Sequence, residues 1–114
     1  MMGMIVQCDS RMIADKVRQA DRFGKRFLGL MGKKSLEAGE GLLLLRCPAI
    51  HCFFMRFPID AIYLSKEMKV VGIETIAPWR VGRHFPDTAH VLELPAGSCE
   101  LKVAIGDHLV FNES

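Results

Sequence analysis

The chain has 114 residues, half of them hydrophobic and a quarter charged, with a formal net charge of +2. That length suits a single domain, 1–114, burying roughly two thirds of its unfolded surface, so folding requires neither a metal nor a disulfide. The near-neutral balance argues against a nucleic-acid or anionic-membrane footprint, and no apolar stretch reaches the ~18 residues of a transmembrane helix.

The opening Met1–Asp9 has a short apolar run and no basic flank. It does not read as a signal peptide, which predicts a cytoplasmic protein. In that compartment Cys8, Cys47, Cys52 and Cys99 are expected as free thiols packed as small hydrophobes.

Met4–Val6 and Met12–Val17 read as short strands. A helix is predicted near residues 20–31: Phe23, Phe27, Leu30 and Met31 recur at helical spacing among charged residues, and Gly32 suits the C-terminal cap. Ser35–Ala38 fits one further helical turn, with Ser35 as N-cap. Leu42–Leu45 is an apolar run of strand length. After Pro48 a long apolar segment runs from about Ile50 to Leu64. Ser65–Lys69 fits a hairpin loop, and the β-branched Val70–Ile76 fits the returning strand. Ala77–Ala89, with Pro78, Gly82 and Pro86, reads as a loop. Val91–Leu94 is a short strand ended by Pro95-Ala96-Gly97. A helical turn over Ser98–Ala104, a turn at Gly106-Asp107 and a last strand at His108–Phe111 complete the chain. About seven short strands and one helix predict a mainly β (α+β) fold, a small barrel-like sheet or compact sandwich covered by that helix.

Phe53-Phe54-Met55-Arg56-Phe57-Pro58-Ile59-Asp60-Ala61-Ile62-Tyr63-Leu64 places two opposite charges in an otherwise apolar run. Strand parity sets Asp60 with Ile62 and Leu64, and Ile59, Ala61 and Tyr63 on the other face. Both faces are apolar, so Asp60 is expected to be buried and to need a cation or N–H donors. Arg56 is about 13 Å away along a straight strand, so direct pairing needs a bend; Arg26 and Arg80 are the other candidate partners. Glu93, between Leu92 and Leu94, is a second candidate buried carboxyl, able to share a proton with Asp60 if the two approach. Pro78-Trp79-Arg80-Val81-Gly82-Arg83-His84-Phe85 is a candidate recognition loop, because Trp and Arg together anchor contacts. Cys47, His51 and Cys52 have a spacing zinc tolerates, but no second ligand pair follows, so no metal is expected. No phosphate-loop, dinucleotide or nucleophile-elbow signature occurs, and no cofactor is expected.

Four segments occur in a fixed order: Arg26-Phe27-Leu28-Gly29-Leu30-Met31, Phe54-Met55-Arg56-Phe57-Pro58-Ile59-Asp60, Val91-Leu92-Glu93-Leu94-Pro95-Ala96-Gly97 and Gly106-Asp107. Together they resemble the prokaryotic family called domain of unknown function 192, or uncharacterised protein family 0127, over about Val17–Phe111. The resemblance implies a compact, mainly β fold with an accessory helix, and no activity. Many members carry an export signal or lipid anchor. Members often read Trp-Met-Lys-Asn-Thr where this chain reads Phe54-Met55-Arg56-Phe57-Pro58.

The expected function is a small non-catalytic binding or accessory module for a small molecule or protein, using Arg56, Asp60, Trp79, Arg80 and Glu93. One alternative is a hydrolase- or lyase-like enzyme with Asp60 and Glu93 as acid/base groups and Arg56 holding an anionic substrate. Another is an oligomeric structural protein joined through exposed Phe residues.

Overall fold

The computed structural model describes residues 4–9, 11–21, 37–46, 57–77, 82–98 and 103–113. Seven strands follow in chain order: β1 (Met4–Cys8), β2 (Arg11–Asp21), β3 (Glu40–Leu45), β4 (Ile59–Leu64), β5 (Val70–Ile76), β6 (His90–Pro95) and β7 (Leu109–Glu113). They form one sheet in the order β5-β4-β6-β3-β2-β1-β7. All ladders are antiparallel except β2–β3. The mainly β fold and the seven strands agree with expectation, and β5 keeps the expected bounds.

Three local readings change. Ala20 and Asp21 end β2, so the helix predicted near residues 20–31 does not begin there; residues 22–31 lie outside the described set, and no helix occurs among the described residues. β2 itself has 11 residues because it is held twice, by β1 along its first half and by β3 along its second. Among the described residues of the long central segment the strand begins at Ile59, with Phe57 and Pro58 before it. Proline has no N–H to give a ladder and is suited to the position before a strand.

The sheet curls until its two edges meet at one corner. Lys69 bridges His108, and Val70 N–H donates to the Asp107 carbonyl at 2.8 Å while Gly106 N–H donates to the Val70 carbonyl at 2.8 Å. The result is a half-barrel. Its inner face is packed by all seven strands, including Val6, Val17, Leu43, Ile62, Leu64, Leu92, Leu94 and Leu109. The outer face of β3, β4, β5 and β6 carries a second cluster of Leu42, Leu44, Ile59, Ala61, Tyr63, Ile76 and Val91. Every residue of β4 is therefore buried, the pattern of a strand covered on both sides.

Two glycines make close packing possible. A Cβ on Gly72 would overlap the Phe85 ring, so the bare backbone of β5 is where Phe85 of the following loop rests. Gly39, at φ +86, adopts a conformation that side chains disfavour, and its carbonyl accepts from Asp15 N–H and Lys16 N–H at 3.1 and 2.9 Å. That pair of bonds sets the start of β3 against β2.

Candidate functional site

The register of the central strands decides which candidate side chains can meet. Asp60 lies opposite Thr75 and Leu94, while Glu93 lies opposite Ala61 and Leu42. Residues directly opposite share a face, and neighbours along a strand alternate. Asp60 therefore points with Ile62 to the inner side and Glu93 with Val91 to the outer side. The sheet separates them, so they do not form the shared-proton pair that the sequence allowed.

Asp60 is buried, with 3% of its surface exposed, as expected. Thr75 Oγ1 donates to its Oδ1 at 2.6 Å, and Gly97 N–H donates to its Oδ2 at 2.9 Å. Thr75 is its partner in the β5 ladder. Gly97 belongs to the turn after β6, where its φ of +90 needs a glycine. Asp60 thus ties three elements together. The guanidinium candidates Arg26, Arg56 and Arg80 lie outside the described residues, as do Trp79, Cys47, His51 and Cys52. Among the described residues no group of three His, Cys, Asp or Glu side chains is arranged to hold a metal.

Glu93 is the anomaly. Only 1% of it is exposed, and its Oε1 is buried with no hydrogen-bond partner among the described residues. Its cross-strand neighbours, Leu42 and Ala61, offer no donor. Burial pushes its carboxyl up to about 8, because the charged form loses its water. An unsatisfied buried polar atom is destabilising by about 1–3 kcal/mol, and structures retain few of them.

One strand further along the same row stands Glu74, which also lies opposite Ala61. Its Oε2 accepts from Tyr63 Oη at 2.7 Å and from Arg83 N–H at 2.6 Å. Tyr63 packs on Phe85 with ring centroids 4.5 Å apart, and the Arg83 guanidinium lies 5.4 Å from the Phe85 centroid. The described end of the loop that the sequence marked for recognition, residues 82–85, is therefore fastened to the outer face through Phe85, Arg83 and Glu74. Sequence reasoning missed Glu74 and Tyr63 as members of this neighbourhood. The available signal was the parity of Gly72, Glu74 and Ile76, which places one charge on an otherwise apolar side of β5.

A second polar cluster lies at the closed corner. Cys8, with 1% exposed, donates its thiol to Asp107 Oδ2 at 3.3 Å, and Ala104 N–H donates to the same oxygen at 2.9 Å. Burial, then Asp107, pushes the Cys8 thiol up, and the Ala104 N–H, then Cys8, pulls the Asp107 carboxyl down. The arrangement joins β1 to the turn before β7 and disfavours the reactive thiolate form.

A shallow groove of about 520 Å³ lies beside the β4–β5 hairpin, where Ser65, Lys66, Lys69, Asp87 and Thr88 contribute to its walls. No helix among the described residues is long and apolar enough to cross a membrane.

Comparison with known proteins agrees with this fold. The chain is similar to a UPF0127 protein of Pyrococcus furiosus, 38% identical over 101 residues, covering 85% of this chain and 87% of the relative. It is also similar to a UPF0127 protein of Pyrococcus horikoshii, 39% identical over 98 residues, covering 82% and 85%. A protein of unknown function from Novosphingobium aromaticivorans, of solved crystal structure, has a similar fold, with a TM-score of 0.77 at 23% identity over 94% of this chain and 82% of that one. The model of the family described as Uncharacterized ACR, domain of unknown function 192, matches residues 4–111, and the chain belongs to that family.

Proposed function

We propose that the protein is a small non-catalytic binding module and that its recognition centre is the outer face of β4 and β6 around Glu93. One observation carries the reading: Glu93 Oε1 is buried in an apolar wall with no hydrogen-bond partner among the described residues. A fold that keeps such an atom gives up stability, and that loss is typical of places where structure serves a ligand. The apolar surroundings favour an apolar ligand body, and the free oxygen demands a donor. Because Glu93 is so fully covered, the ligand reaches it when the outer face opens.

Asp60 plays a different part in this reading. Its oxygens are engaged by Thr75 and Gly97, so it holds the framework behind the site. Arg56, Trp79 and Arg80 remain candidates for the rim, on the strength of their residue types alone.

A thermal-shift screen of small molecules tests the proposal. Compounds grouped as cationic, neutral or anionic are measured against wild type and against Glu93→Leu. The proposal expects a set of compounds that raise the melting temperature of wild type and leave Glu93→Leu unmoved. A screen in which no compound depends on Glu93 overturns it.

A further inference from the structure

We propose that Glu93 and Glu74, facing the same way across Ala61, form a two-carboxylate site for an organic cation, a primary ammonium or guanidinium carried on an apolar stem. This inference rests on the reading of the Glu93 face as a binding centre and adds the chemical class of the ligand.

The register supplies the geometry. Ala61 lies opposite Glu74 on one side and opposite Glu93 on the other. With strands about 4.8 Å apart, the two glutamate Cα atoms are separated by about 10 Å. Long flexible carboxylates leaning from both sides can bracket one positive group over the small alanine methyl. Ala61 is fully buried and Glu93 only 1% exposed, so the bracket is filled when the outer face opens.

Charge points the same way. The outward-facing charged residues of β3, β4, β5 and β6 are Glu40, Glu74 and Glu93, all acidic. Arg18 stands at the far end of the row, beyond Leu42, and is exposed to solvent. Leu42 stands between Glu93 and Arg18, whereas only the methyl of Ala61 stands between Glu93 and Glu74. A neutral donor would satisfy Oε1 but gain little from Glu74. A cation gains from both carboxylates, and pairing is what makes a buried ionised carboxyl tolerable.

The aromatic wall fits the same ligand. Tyr63 and Phe85 flank Glu74, and the Phe85 ring already has the Arg83 guanidinium above it at 5.4 Å. Aromatic faces attract cations more strongly as water is excluded. Arg83 shows that a guanidinium can be seated at this wall by the chain itself.

Binding of such a cation displaces the proton of Glu93, whose carboxyl is raised to about 8 by burial. Affinity should therefore rise with pH, by a factor of about ten per unit from pH 6 to pH 7, as one proton is released. Glu40, Glu74 and Tyr63, with Lys16 and Arg18 of β2 and Arg83 of the loop, are the other titratable or charged groups on this side of the sheet among the described residues.

Calorimetric titration with n-hexylammonium, n-hexanol and hexanoate on wild type, Glu93→Gln and Glu74→Gln tests the inference, with each variant's melt checked first. The expected result is binding of hexylammonium to wild type that strengthens with pH, weakens at least tenfold in Glu93→Gln, and weakens several-fold in Glu74→Gln. Tighter or equal binding of hexanol, lost in Glu93→Gln, overturns the cation while leaving the binding centre standing. Hexylammonium binding that is unchanged in Glu93→Gln overturns the site assignment. If none of the three probes binds in a Glu93-dependent way, the cation site and the binding centre fail together.

Discussion

Replacing Glu93 with leucine should stabilise this protein, and the gain should grow with pH. The carboxyl is raised from its ordinary 4.5 to about 8 by burial. An acid raised in the folded state binds its proton more tightly there than in the unfolded chain. Below pH 4.5 it is neutral in both states and has no effect on the folding balance. Between 4.5 and 8 the unfolded chain releases a proton that the folded state retains, so folding loses about 1.4 kcal/mol per pH unit. At pH 7, two and a half units above 4.5, the loss is about 3 kcal/mol. Leucine has a similar volume and no charge, and it matches the neighbours Leu42, Ala61 and Val91. Glu93→Leu should therefore be more stable than wild type by about 3 kcal/mol at pH 7, which corresponds to about 12 °C in melting temperature for a domain of this size. At pH 5 the difference should shrink to about 1 kcal/mol by the same linkage. Urea denaturation of both proteins at pH 5, 6, 7 and 8 measures it. His90, which burial and then Arg46 pull down, contributes equally to both proteins and cancels in the comparison. Stability curves that run parallel from pH 5 to pH 8 would refute the claim that burial raises the Glu93 carboxyl.

Asp60→Ala should be destabilising by about 3 kcal/mol, because two hydrogen bonds to a buried carboxylate are lost together; a urea midpoint within error of wild type counts against that anchoring role. Gly72→Ala should expel the Phe85 ring and destabilise by about 1–3 kcal/mol, as overpacking does. Its check is the loss of ring-proton cross-peaks between Phe85 and Tyr63. Cys8 should resist iodoacetamide in the native protein at pH 7.5 and react once urea unfolds it, read by mass spectrometry of the peptide; rapid native labelling would contradict its burial and raised pKa.

Much of the sheet was legible because its strands obey period two. Val70–Ile76 was readable from β-branched composition alone, and the parity of Ile59–Leu64 correctly divided Asp60, Ile62 and Leu64 from Ala61 and Tyr63. β2 was underread for a physical reason. Register shifts between Met4 and Gln7 break the alternation opposite it, so consecutive Ile13 and Ala14 are both buried and the remaining residues look polar. The burial of both carboxyls could be inferred from their apolar neighbours. Their relation to one another could not, because it depends on cross-strand register. Ala61, adjacent to Asp60 in sequence, is the residue that sits opposite Glu93. The Gly97 donor to Asp60 is likewise 37 residues away and reachable only through the β6 turn.

The two carboxyls differ in what surrounds them, and that difference separates a satisfied carboxyl from one with an unsatisfied oxygen. Both sit in the middle of the same sheet, on adjoining strands, behind apolar residues. Asp60 faces a loop that turns through Gly97 and a hydroxyl from β5, so its oxygens are used by the fold itself. Glu93 faces aliphatic neighbours on both sides, and Oε1 has no hydrogen-bond partner among the described residues. Hydrophobic residues of the same volume at position 93 would pack there with greater stability at neutral pH. A carboxyl at that position works against folding by about 3 kcal/mol, which is a large fraction of the ~5–15 kcal/mol that holds a small domain together. In the proposed site, a cation paired with Glu93 and shared with Glu74 would offset part of the stability given up at Glu93.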